Sequence, residues 1–194
     1  MFIEEKIVYF QKTGIENTEK TLELAISEAL ELPSKTLLIS STTGYSAKTA
    51  LEMMAQTQKI NLVVVGHRFG FKEMGKNEFD LKTEEELKRR GFKIFFGTHF
   101  FTGIEKALSL AYGGIYPHRM IGDTFKIFSQ GTKVLFEDMI MASDSGLIPV
   151  NDWIVSAGGT GRGLDTAMVI KSVNSDHLFH TRIKKILCIP GEFD

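Results

Sequence analysis

The sequence predicts a three-layer α/β/α domain with a mostly parallel sheet and an antiparallel edge. Three observations carry that expectation. Strand-like and helix-like apolar patterns alternate through the first half, which implies right-handed βαβ crossovers. Residues 61–66 read Asn-Leu-Val-Val-Val-Gly, the continuous apolar run of a strand covered on both faces. The strand patterns at 165–173 and 183–189 follow one another without a helix between them, so at least one should run antiparallel at an edge.

The elements follow in order. Residues 6–10 (Lys-Ile-Val-Tyr-Phe) read as a short strand. Leu22, Ala25, Ile26 and Ala29 recur at helical spacing over 18–32, and Pro33 ends that helix. Residues 35–40 give a second strand. Ala47, Ala50, Leu51, Met54 and Ala55 form an apolar stripe on the next helix. After strand 61–66 comes a polar and aromatic loop, 67–81. Thr83 and Glu86 make a capping-box pattern, Gly91 ends that helix, and 93–98 is a fourth strand. A helical region spans 103–145, with a first stripe of Ile104, Ala107, Leu108 and Ala111. Gly113-Gly114 breaks it, Pro117 opens another helix, and Gly131 separates two more. Residues 153–156 form a strand that ends in Ala157-Gly158-Gly159-Thr160-Gly161-Arg162-Gly163.

The chain of 194 residues suits a single domain, 1–194, with room for a sizeable core. Its net charge of −1 gives no electrostatic case for nucleic acid or an anionic membrane as partner. One cysteine, Cys188, excludes an intramolecular disulfide and fits a reducing compartment. No signal-peptide pattern begins at Met1, and no apolar run is long enough to span a bilayer. A cytoplasmic location is therefore expected. Self-association is left open.

The stretch that points to function is Leu37-Leu38-Ile39-Ser40-Ser41-Thr42-Thr43-Gly44-Tyr45-Ser46-Ala47. An apolar strand stops, a hydroxyl-rich turn follows, and a helix begins. The first N–H groups of a helix lack intrahelical partners, and its dipole is positive there. Such a turn suits a phosphate; it is equally what a plain capped strand-to-helix connection requires. It lacks the Gly-Lys-Ser/Thr of a Walker loop and the further glycines of a dinucleotide fingerprint.

Ligands of open α/β sheets bind beyond the carboxyl ends of the strands. Four such ends change abruptly to glycine and polar residues: Ser40–Gly44, Gly66-His67, Gly97-Thr98-His99 and 156–160, with Gly158, Gly159 and Thr160. Their coincidence on one edge favours a ligand site over isolated turns. His67 and His99 are each a ligand partner, an acid or base, or a turn cap. Arg162 is the cation of the glycine loop and a candidate anion contact. Asp165 can take a ligand N–H or ribose hydroxyl, or bond turn amides. Tyr45, Phe69, Phe71, Phe100 and Phe101 crowd the same edge, as core or as stacking partners. No metal site is expected: His67 and His99 lack metal-pair spacing, and Asp176-His177 with His180 lies in a polar loop. No Gly-x-Ser-x-Gly elbow surrounds Ser40 or Ser41.

Residues 36–71 resemble the start of the C-terminal domain of pyruvate kinase, where a Ser/Thr-rich turn binds the phosphate of an allosteric sugar bisphosphate. Ser40, Ser41, Thr42, Thr43, Gly44 and Ser46 match that turn. Gly114-Ile115-Tyr116-Pro117 is similar to the family's Gly-Val-Phe/Tyr-Pro segment. Residues 142–156, with Gly146-Leu147 and Asp152, resemble the later helix and strand, and Gly158-Gly159 with 165–173 the last hairpin. The resemblance covers 34–174. The catalytic barrel is missing, so pyruvate kinase activity is not implied. The N-terminal strand and helix, the 67–91 segment and the last strand are additional. In this the chain is similar to free-standing, chiefly archaeal proteins resembling that domain, and the resemblance implies an FMN cofactor. The expected function is binding of a phosphorylated small molecule, FMN foremost. The alternatives are a sensor of a sugar phosphate or nucleotide, an FMN-dependent oxidoreductase, and an interaction module using 67–91. Whether the chain is an enzyme is left open.

Overall fold

The computed structural model describes residues 2–55 and 59–191. Seven strands form one sheet: β1 (Val8–Phe10), β2 (Thr36–Ser40), β3 (Asn61–His67), β4 (Lys93–Gly97), β5 (Trp153–Gly158), β6 (Thr166–Lys171) and β7 (Ile183–Pro190). Their order is β1-β7-β6-β5-β2-β3-β4. Every pairing is parallel except β5 with β6 and β6 with β7. The antiparallel strand is thus β6, towards one side of the sheet, with β7 and then β1 outside it.

Six α-helices connect these strands: α1 (Thr18–Glu31), α2 (Tyr45–Met53), α3 (Leu81–Arg89), α4 (Gly103–Tyr112), α5 (Pro117–Phe125) and α6 (Gln130–Asp144). Side chains alternate across each strand, so the sheet feeds two cores. Leu37, Ile39, Leu62 and Val64 face Leu22 of α1, Ala47 of α2 and Leu87 of α3. Leu38, Val63 and Val65 face Leu135, Phe136 and Met139 of α6. Burying side chains of this size on both faces, at about 1.5–3 kcal/mol each, is what holds the three layers together. Cys188 lies in the first core, where burial pushes its thiol up to about 11.

Local details depart from the sequence reading in three places. α3 is capped by Asp80, whose carboxylate accepts from the Thr83 N–H at 2.8 Å and the Thr83 hydroxyl at 2.7 Å. Thr83 is therefore the third residue of the helix and not its cap. Ser129 caps α6 in the same way through the Thr132 N–H at 2.8 Å, and Gly131 lies inside the first turn instead of between helices. The apolar stripe of α4 is not buried: Ile104 is 76% exposed. α6 already covers that face of the sheet, and α5 packs on α6 through Phe125 and Phe136, stacked at 4.5 Å. α4 is left as an outer layer.

Among the described residues, no helix is long and apolar enough to cross a membrane.

Candidate functional site

The chain leaves β2 through α2 to reach β3 on one side. It returns from β4 through α6 to place β5 on β2's other side. The connections on either flank of β2 therefore diverge, and a crevice opens beyond its carboxyl end. Its lips are the Ser40–Ser46 turn after β2 and the 159–163 loop after β5. The cleft between them has a volume of about 390 Å³, within the rough 300–1,000 Å³ range of small-molecule sites.

The hydroxyl turn is built by its own backbone. Gly44 takes φ +91°, a left-handed conformation that turns the chain into α2. The Ser41 N–H donates to Val65 O at 2.9 Å. The Ser41 hydroxyl accepts from the Ala47 N–H at 3.3 Å, capping the third residue of the helix. Thr42 reaches across to β3, its Oγ1 3.2 Å from His67 Nε2. Ser40, Ser41, Thr42, Thr43 and Ser46 all line the cleft, beside Gly66 and His67 at the end of β3. Gly44 lies on the opposite side of the turn, facing Asp80 and Thr83; its part is conformational.

His67, Phe71 and His99 cluster at one end. The His67 and Phe71 ring centroids are 3.9 Å apart, and those of His67 and His99 4.8 Å. Burial, then the facing His99, lowers His67 to about 4. Burial, then the Lys133 ammonium, lowers His99 to about 4. Both imidazoles are therefore neutral at pH 7, and His67 serves as a hydrogen-bond partner of Thr42. His67 Nδ1 is buried without a hydrogen bond among the described residues, 4.0 Å from Glu78 Oε2.

The glycine loop contributes Gly159, Gly161, Arg162 and Gly163 to the cleft wall. Three residues expected there, Gly158, Thr160 and Asp165, are elsewhere. Asp165 is fully buried. Its carboxylate accepts from the Gly14 N–H at 3.3 Å, the Thr160 N–H at 3.1 Å and the Thr166 hydroxyl at 3.0 Å. It anchors the loop and does not line the cleft, and this places Thr160 at the loop's base. Gly158 lies under α6: a Cβ there would meet Gly131 O, and Leu135 N at 2.9 Å. It permits the strand and helix to approach. Gly97 likewise packs against Phe95 and Met141. Thr98 and His99 line a second cavity of about 440 Å³ beneath α4 and α5. His99, Phe71 and Lys133 are shared by both cavities.

Of the aromatics, Tyr45 and Phe71 line the main cleft. Phe101 is fully buried and Phe69 is 60% exposed. His177 sits on the surface against Asp176 at 2.7 Å. Among the described residues no three His, Cys, Asp or Glu side chains are grouped to hold a metal.

The wall supplied by α6 was not anticipated from the sequence. Lys133, Glu137 and Asp138 are all buried and all line the cleft, with Lys126 and Gln130 nearby. Lys133 pairs with Glu137, and Glu137 Oε1 accepts from the Phe101 N–H at 2.8 Å. Burial, then the neighbouring Glu137, pushes the Asp138 carboxyl well above the usual carboxylate range. The available signal was three charged residues, Lys133, Glu137 and Asp138, within the largely apolar and buried stretch 133–142 of α6.

No family profile matches the chain. Among solved structures it is similar to a pyruvate kinase from Cryptosporidium parvum, with TM-score 0.41 and 11% identity over 81% of this chain and 24% of that one. A pyruvate kinase from the same organism in complex with ADP gives TM-score 0.41 and 12% identity over 83% and 24%. The chain spans about a quarter of the length of those proteins. At that identity and TM-score no residue role and no activity carries over.

Proposed function

We propose that the cleft binds a phosphorylated small molecule, FMN foremost, with its phosphate against Ser40–Ser46. One observation carries the reading. The hydroxyl turn at the head of α2, the Gly66-His67 strand end and the Arg162 loop all open onto one cleft. Hydroxyls and first-turn N–H groups suit a phosphate, and Lys126 and Arg162 add positive charge to the same cleft. The ring would lie near Gly66-His67 and Gly159, where Phe71 and His99 offer flat partners. The sequence resemblance to free-standing pyruvate-kinase-C-terminal-like proteins singles out FMN among phosphate esters.

The residues present suit that group. Bound FMN would supply a two-electron redox centre. The chain's own part is to hold the phosphate, cover the ring and exclude water. Neutral His67 and His99 are poor proton donors at pH 7, which favours binding over rapid flavin turnover.

The protein is purified without added cofactor and again after soaking in FMN. Absorbance is recorded, and the compound released on denaturation is weighed by mass spectrometry. The reading predicts flavin absorbance and an FMN mass. A sugar phosphate or nucleotide in its place would favour the sensor alternative. No bound phosphate ester in either sample would overturn the reading.

A further inference from the structure

The wall of the cleft carries a group that phosphate binding does not use. Asp138 lies in the third turn of α6 and is 5% exposed. Its Oδ2 is buried and has no hydrogen-bond partner among the described residues. A buried polar atom left without a partner costs roughly 1–3 kcal/mol, and more when charged. The adjacent Glu137 is different, because the Phe101 N–H and Lys133 engage both its oxygens. The fold therefore satisfies one carboxyl of this pair and leaves the other, on a residue that lines the cleft, without a partner at Oδ2.

The chemistry of that opening is specific. Burial and the charge of Glu137 favour the protonated form of Asp138, which presents one O–H donor and one carbonyl acceptor. If it ionised, it would repel a phosphate. The hydroxyls that suit a phosphate lie on the turn, with Arg162 on the glycine loop and Lys126 at the end of α5. The body of the ligand is what remains to meet Asp138.

We propose that Asp138, in the cleft lining, forms a polar subsite that binds an O–H or N–H group on the non-phosphate part of the ligand. This rests on the phosphate-site reading above. It narrows the ligand class to phosphate esters with a hydrogen-bonding body, either a polyol chain or a ring imide. Asp138 is then the residue that distinguishes such compounds from phosphate alone.

The test compares wild type with Asp138→Asn and Asp138→Ala. Melting temperature is measured without ligand, and affinity is measured by calorimetry for FMN, ribitol 5-phosphate and inorganic phosphate. The expected result is an FMN affinity lowered about tenfold or more in Asp138→Ala, the loss of one hydrogen bond, and largely kept in Asp138→Asn, whose amide offers the same donor and acceptor. Inorganic phosphate affinity stays unchanged, and the ligand-free melting temperature of Asp138→Asn rises. An equal loss for ribitol 5-phosphate places the donor on the chain; a loss confined to FMN places it on the ring. Either supports the subsite. Unchanged FMN affinity in Asp138→Ala, or an equal loss for inorganic phosphate, overturns it. If wild type binds no FMN, the phosphate-site reading fails. The melting temperature then judges Asp138 separately, because a fall in both variants marks a packing residue.

Discussion

Thr42 Oγ1 lies 3.2 Å from His67 Nε2, joining the hydroxyl turn after β2 to the end of β3. That contact brings a phosphate-suited turn and a neutral imidazole into one wall. It commits one ring nitrogen of His67 to the turn and leaves Nδ1 facing Glu78 at 4.0 Å. The alignment depends on the parallel register of β2 and β3, in which Ser40 stands opposite Val65.

The histidines predict a pH dependence of stability. Both fold with a pKa of about 4, against about 6.5 unfolded. Between those values the unfolded chain binds more protons, so stability rises with pH through that window. It is fully present above about 6.5 and lost as pH falls towards 4. The pair should contribute on the order of several kcal/mol across that window. Asp138 acts in the opposite sense: its folded pKa is raised, so its contribution is present at low pH and lost as pH rises through the folded value. Urea unfolding at pH 4.5 and pH 7 should show the histidine slope in wild type and a shallower one in His67→Gln and His99→Gln. A slope unchanged in both variants would exclude these rings as its source.

The hydroxyl turn predicts a binding defect without unfolding. Thr42→Ala with Thr43→Ala should remove hydrogen bonds to a charged group, each worth about 1.5–3 kcal/mol. FMN affinity should fall correspondingly while the circular dichroism spectrum and melting curve stay close to wild type. Unaltered affinity would make the turn a structural connection only.

Gly158 predicts the converse, a stability defect. A Cβ there meets Gly131 O and the Leu135 N of α6, and neither is a flexible side-chain end. Gly158→Ala should cost about 1–3 kcal/mol by overpacking, read as a lower urea midpoint with an unchanged m-value. A wild-type midpoint would show that α6 moves away freely.

Asp165 predicts an indirect effect on the site. Its carboxylate holds Gly14, Thr160 and Thr166 together. Asp165→Ala should leave buried donors unpaired at roughly 1–3 kcal/mol and loosen the loop that carries Arg162. Lower stability together with weaker ligand binding is expected. Weaker binding at full stability would instead indicate direct contact with the ligand.

Much of the sheet was legible because its signals are local. The apolar run before His67 and the hydroxyl turn before Tyr45 each announce their element within a few residues. The site was only half legible for the same reason. Lys133, Glu137 and Asp138 face the cleft because α6 crosses beside β2, a long-range fact that spacing along one helix does not contain. The α4 stripe misled because amphipathicity shows that a face is apolar, not that the core lies under it. Asp165 had two local readings, and the partners that decide between them, Gly14 among them, are distant in sequence.

The most direct measurement is a side-by-side titration of the wild-type protein with FMN and riboflavin, followed by flavin fluorescence. The two ligands differ only in the phosphate, so their affinity ratio isolates what the Ser40–Ser46 turn supplies. The account predicts saturable binding of one FMN per chain and an affinity for riboflavin at least about tenfold weaker, the worth of one charge-assisted hydrogen bond or more. Equal affinity for the two, or no saturable binding of FMN, would contradict it.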